Sequence, residues 1–106
     1  MSTFNRSPEV LRDVLQSIKS RVPPGWCEVI VVDDGSDSAT AKDLCKEYRV
    51  QYHRIDRPPV RRNPCVARNV AYRAARGEYL ILQSDDVVHV TEDAIDRLVS
   101  EAEHHP

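Results

Sequence analysis

The stretch Cys27-Glu28-Val29-Ile30-Val31-Val32-Asp33-Asp34-Gly35-Ser36 decides the fold. Its first six residues are short, β-branched and almost continuously apolar, the pattern of a strand covered on both faces. It then stops at an acidic, glycine-bearing turn. A buried strand of this kind belongs to a parallel sheet, and a parallel sheet needs a helical crossover on each side.

The flanking sequence supplies those crossovers. Before the strand, Ser7-Pro8-Glu9 reads as a helix start, with Ser7 as N-cap, Pro8 at the first helical position and Glu9 near the positive end of the dipole. Val10, Leu11, Val14, Leu15, Ile18 and Val22 then recur at three and four residues and end at Pro23-Pro24-Gly25. After the strand, Ala41, Leu44, Cys45 and Tyr48 mark a second amphipathic helix from about Ser38 to Arg49, and Val50 to Ile55 alternates as a strand. Arg57 to Pro64 is a proline-bearing loop. A third helix, from Pro64 to Arg76, carries Val66, Val70, Ala71 and Ala74, with Gly77 placed to cap it.

Glu78 to Gln83 reads as another buried strand, again ending in acid at Ser84-Asp85-Asp86. Thr91 opens a last helix, with Glu92 and Asp93 in its first turn and Ala94, Ile95, Leu98, Val99 and Ala102 on its apolar face. The alternation predicts an α/β class, a mostly parallel sheet with helices on both faces and right-handed crossovers.

Composition narrows the class of function. The 106 residues leave room for one small domain. Apolar residues at 41% and charged residues at 30% are ordinary globular values. A net charge of −2 argues against a partner held by bulk charge, whether nucleic acid or anionic membrane. No run approaches the roughly 18 apolar residues of a membrane span, and Met1 to Arg6 carries no apolar signal core, so the expected setting is cytoplasmic. Cys27, Cys45 and Cys65 share no metal-ligand spacing and are expected as reduced, buried thiols.

Ligands of parallel sheets sit at the carboxyl ends of the strands. Both acidic pairs, Asp33-Asp34 and Asp85-Asp86, fall at such ends and can converge although they lie 52 positions apart. Each pair alone has a bland reading as turn chemistry or helix capping. Together they suit either a hard divalent cation, Mg²⁺ or Mn²⁺, or acceptance of hydrogen bonds from the hydroxyls and base nitrogens of a ligand. Seven of the 15 basic residues, Arg54, Arg57, Arg61, Arg62, Arg68, Arg73 and Arg76, crowd one segment that holds Asp56 as its single acid. That excess fits a diphosphate with cations on one side and a metal on the other. Arg73 and Arg76 read as a solvated helix face, whereas Arg68, near the helix start, is the candidate for the ligand. Tyr72 is the one aromatic among these arginines, which disfavours a nucleic-acid surface.

Five ordered motifs carry a family resemblance: Thr3-Phe4-Asn5-Arg6, Glu28 to Ser36, Ala67-Arg68-Asn69, Arg76-Gly77-Glu78-Tyr79 and Ser84-Asp85-Asp86. In order and spacing they resemble the family 2 glycosyltransferases over nearly the whole chain. The resemblance implies a Rossmann-like, nucleotide-diphospho-sugar transferase fold, here as the single, incomplete donor-binding half, residues 1–106. It implies a nucleotide pocket involving Thr3, Asn5, Arg6, Asp33 and Asp34, with Arg68 and Asn69 on the nucleotide side. Asp85 would touch the ribose, and Asp85 and Asp86 would hold Mg²⁺ or Mn²⁺ on the diphosphate. The commonest last motif in that family is Asp-x-Asp-Asp, and Gln83 stands here at its first position. The implied reaction is inverting transfer of a sugar from a nucleoside-diphosphate donor to an acceptor hydroxyl, stabilised by metal and arginines at the leaving group.

No catalytic base is assigned, since the family's acceptor half would supply it and Glu92, Asp93 and Asp96 read as a helix start and its solvent face. Three other readings remain: a non-catalytic nucleotide-binding module, a nucleotidyltransferase, and a phosphorelay receiver. The receiver needs a lysine at a later strand end, and the last lysine is Lys46. The nucleotidyltransferase needs a glycine-rich phosphate loop, and the glycines are Gly25, Gly35 and Gly77. Too few residues precede Asn5 to form a full first strand, so a short or missing central strand and a shallow, open cleft are expected.

Overall fold

Ser7 starts the first helix as its sequence requires. In the computed structural model, which describes residues 1–56 and 63–105, its side chain accepts from the Val10 amide at 3.4 Å, Pro8 takes the first helical position, and α1 runs Pro8–Lys19. A two-residue strand, β1 (Ser2–Thr3), precedes it. Then follow β2 (Ile30–Asp33), α2 (Thr40–Tyr48), β3 (Gln51–Arg54), α3 (Pro64–Ala74) and α4 (Ala94–His104). The arginine-bearing loop lies largely outside the described residues, Arg57, Arg61 and Arg62 included.

Among the described residues the sheet has three strands in the order β1-β2-β3, all parallel. Ser2 and Thr3 pair with Val32 and Asp33, and Asp33 pairs with Arg54 on the other side. The strand expected at residues 27–32 is shorter and shifted, because pairing with β3 begins at Ile30 and only Val32 and Asp33 pair with β1 as well. Its alternation sorts the helices between the two faces. Val31 packs with Leu11, Leu15, Ala41, Leu44 and Cys45 of α1 and α2. Ile30 and Val32 face Ala67 of α3. Val31 and Val32 are fully buried, worth about 1.5–3 kcal/mol each in apolar burial. The helices on both faces of a parallel sheet agree with the sequence.

Five expectations need correction. Glu78 to Gln83 forms no strand, and Leu80 and Leu82 are exposed at 52% and 63%. The reason is the length of β1. The carbonyls of Met1 and Thr3 accept from Val32 and Asp34, which leaves mainly Ser2 to offer backbone groups to its other edge. One residue cannot hold a strand. The strand expected at the centre of the sheet is thus short, as anticipated, and among the described residues it stands at the sheet's edge. Gly77 does not cap α3. That helix ends at the extended Ala75, and the Arg76 amide donates to the Glu28 carboxylate at 2.9 Å. Thr91 does not open α4: its carbonyl accepts from Arg21 Nε and closes a turn onto the Ala94 amide, and the helix begins three residues later. Of the helix's expected apolar face, Ile95 is buried against Val14 and Ile18, while Leu98 is exposed. Cys45 alone of the cysteines is buried, its thiol pushed up to about 11 by burial and the nearby Asp33 charge; Cys27 and Cys65 are exposed free thiols.

Candidate functional site

The site grows from the way β1 ends. After Thr3 the chain must turn at once into α1, and Asn5 makes that turn with φ +48°, a left-handed conformation that asparagine tolerates better than most residues. Its amide nitrogen donates to the Asp37 carboxylate at 3.0 Å, its amide oxygen accepts from the Asp37 backbone at 2.9 Å, and its own backbone donates to Ser36 Oγ at 2.9 Å. Asn5 therefore braces the β1–α1 turn against the turn after β2. Gly35, at φ +89°, lets that second turn close.

Asp33 and Asp34 differ in what they do. The Asp33 carboxylate is fully buried, accepting from the Ser36 backbone at 2.8 Å and from the Tyr52 hydroxyl at 2.7 Å, with Arg54 at 3.6 Å. Burial and the Asp33 bond together raise the Tyr52 phenol above its ordinary value. Asp34 is also buried, and its backbone donates to the Thr3 carbonyl, continuing the β1–β2 ladder into the turn. The sequence places Arg54 only in the arginine cluster and gives Tyr52 no role, so their link to Asp33 was missed. The signal was present in the alternation of β3, which puts both on one face two residues apart, beside Asp33.

The second acidic pair arrives from the far end of the sequence. Asp85 is buried, accepting from Thr3 Oγ1 at 2.8 Å and from Arg6 at 2.9 Å, while Asp86 is exposed with Arg6 at 4.0 Å. Asn5, Arg6, Asp33, Asp34, Asp85 and Asp86 thus gather around Thr3 at the carboxyl ends of β1 and β2, either in direct contact or through the turn. Arg68 and Asn69 stand apart on the exposed face of α3. Burial holds the amino-terminal ammonium group below its ordinary value, with the charge of Asp85 pulling it up and that of nearby Arg68 pushing it down.

A cleft of about 590 Å³ opens between β1, α3 and the segment 77–84, and Arg68, Gln83 and Ser84 belong to its lining. Most of its wall is apolar, including Ile18, Val29, Tyr79 and Leu80. Thr3, Asp33, Asp34 and Asp85 lie outside it, so the cleft reflects the uncovered edge of the sheet and meets the acidic cluster only at its rim. Gln83, at the place of a carboxylate, is turned away: its amide donates to the Val87 carbonyl, and its oxygen lies 2.7 Å from His89 Nε2.

Among the described residues no group of three or more His, Cys, Asp or Glu is placed to hold a metal ion. The donor set suits a hard cation that brings most of its ligands with the substrate, with Asp86 open to solvent and Asp85 already bonded on both oxygens. No helix among the described residues is long and apolar enough to cross a membrane.

A Rossmann-like parallel sheet with two acidic turns meeting at the strand ends is the framework of a glycosyltransferase domain. The chain belongs to Glycosyl transferase family 2, whose family model matches residues 1–106. It is 31% identical over 90 residues to the uncharacterized glycosyltransferase MJ1057 of Methanocaldococcus jannaschii, an alignment covering 82% of this chain and 31% of the relative. The crystal structure of S. aureus TarS superposes with a TM-score of 0.77 at 27% identity, covering 98% of this chain and 19% of that one. The chain therefore spans about a third of the curated relative and a fifth of the solved structure.

Proposed function

We propose that the chain binds a nucleoside-diphosphate sugar at the carboxyl ends of β1 and β2, as the donor-binding part of an inverting glycosyltransferase. The observation that carries this reading is the meeting of Thr3 and Arg6 with Asp85 across 82 and 79 positions of sequence. Turn chemistry alone would not require the first and last motifs to share one buried carboxylate.

In this reading the turn at Asp33-Asp34 faces the base, with Asp33 holding its shape through Ser36 and Tyr52. Thr3 and Asn5 form the floor beside it. Asp85 receives the ribose, and Arg68 and Asn69 approach the diphosphate from α3, where a guanidinium matches phosphate oxygens in pairs. A divalent cation bound with the diphosphate, through Asp86 and Asp85, would supply charge neutralisation as the nucleoside diphosphate departs. Transfer breaks the bond between the anomeric carbon and the diphosphate oxygen while an acceptor hydroxyl attacks from the opposite face. This chain offers no assigned base for that hydroxyl, so its own part is to bind and orient the donor.

Titration calorimetry with UDP and other nucleoside diphosphates, with and without Mn²⁺, tests the proposal. Saturable binding of at least one is expected. Absence of binding by every nucleoside diphosphate overturns the pocket.

A further inference from the structure

Arg6 stands where the acidic pair would otherwise want a cation. Its guanidinium lies 2.9 Å from one Asp85 oxygen and 4.0 Å from Asp86, and its hydrogen bond to Asp85 raises its own proton affinity. The second Asp85 oxygen is held by Thr3 at 2.8 Å, so the carboxylate cannot turn both oxygens toward an ion. Gln83 is neutral and already bonded to Val87 and His89, so it adds no third ligand. Two carboxylates and one guanidinium leave a single net negative charge. A free divalent ion entering there would meet Arg6 at close range and be repelled.

We propose that Arg6 is an internal counter-cation of Asp85 and Asp86, which keeps a free divalent ion off the pair and gives it up only when a diphosphate offers the guanidinium a stronger partner. Arg6 is free to make that exchange. It sits between β1 and α1, outside any helix or strand, and its side chain is 38% exposed. A diphosphate is the better match here, because Asp85 gives Arg6 one oxygen and keeps the other on Thr3, whereas a phosphate can accept from the guanidinium in a pair. Metal and diphosphate would then bind together, each weakly alone. The part that involves the diphosphate rests on the donor-site reading above; the part that involves Arg6 and the free ion rests on the carboxylates alone.

The test is Mn²⁺ binding by calorimetry or by the spin resonance of unbound Mn²⁺, with no nucleotide present, on the wild type, Arg6→Gln, Arg6→Lys and Arg6→Gln/Asp86→Asn, each shown folded by circular dichroism. Arg6→Gln should bind Mn²⁺ at least about tenfold more tightly than the wild type, the size of an ordinary coupling between two sites. Arg6→Lys should stay with the wild type because the charge remains. Adding Asp86→Asn should remove the gain. Inorganic pyrophosphate should bring Mn²⁺ onto the wild type. Equal Mn²⁺ affinity of wild type and Arg6→Gln, including no binding by either, overturns the proposal, as does pyrophosphate failing to recruit the ion. If Arg6→Gln gains Mn²⁺ binding, pyrophosphate recruits the ion and yet no nucleoside diphosphate binds, the counter-cation stands and the nucleotide reading falls. If nucleotide binds while the two proteins take Mn²⁺ alike, the reverse holds.

Discussion

The Thr3 hydroxyl donates to the Asp85 carboxylate at 2.8 Å, joining the first strand to the last acidic motif across 82 positions of sequence. Both residues are buried, so the bond has little competition from water. Replacing Thr3 with Val keeps the shape and removes the donor, leaving one oxygen of a buried carboxylate without its partner. We expect Thr3→Val to lower the unfolding free energy by about 1–3 kcal/mol, and Thr3→Ser to recover most of it. Urea unfolding of the three proteins measures this. Indistinguishable midpoints for wild type and Thr3→Val would show that the bond contributes nothing net.

Tyr52 offers a sharper case, because the group it satisfies is entirely buried. Asp33 accepts from Tyr52 and from the Ser36 backbone, and its turn carries the neighbouring Asp34. Tyr52→Phe should destabilise the fold by roughly 1.5–3 kcal/mol, the range for a hydrogen bond to a charged group. It should also weaken nucleotide binding, because the turn loses a brace. A loss of affinity with unchanged stability would instead place Tyr52 in contact with the ligand.

Tyr52 also shows where the sequence stops being informative. Apolar spacing was enough to place α1, α2 and a strand covered on both faces at Val31 and Val32, because periodicity marks the face that a packed element buries. Asp33-Asp34 was legible as a strand-end motif, whereas Asp85-Asp86 was expected at the end of a strand that does not form, and its bond to Thr3 was not foreseen. The use made of each carboxylate was not legible. Whether Asp33 faces a ligand or a tyrosine depends on register between β2 and β3, which adjacent apolar runs do not specify. The failed strand at Glu78 to Gln83 has the same origin. Its residues suit a strand, but a strand also needs a neighbour, and β1 is two residues long.

His89 should make stability depend on pH. Burial, and next the charge of Arg21, lower its proton affinity below the ordinary value. The folded protein then binds fewer protons than the unfolded chain between the lowered value and the unfolded one near 6.5. Stability from this source is complete above pH about 6.5 and is lost as pH falls through the folded value. His89→Gln should flatten that part of the profile. Urea midpoints collected between pH 7.5 and 5 measure the slope, and an identical slope in His89→Gln would remove His89 as its cause.

Arg68 separates binding from folding. It is exposed on α3, lines the same cleft as Ser84, and makes no hydrogen bond or ion pair among the described residues, whereas its neighbour Ala67 is buried against Ile30 and Val32. Replacing Arg68 with Ala should therefore leave the unfolding midpoint within about 0.5 kcal/mol of the wild type, as for other surface positions. Ala67→Leu, one position away, should destabilise by about 1–3 kcal/mol through overpacking. If Arg68 meets the diphosphate, Arg68→Ala should weaken UDP binding by roughly tenfold or more, and Arg68→Lys should recover only part, since an ammonium cannot pair with two phosphate oxygens as a guanidinium does. Unchanged UDP affinity in Arg68→Ala would leave the residue to the solvated helix face and move the diphosphate toward Arg6.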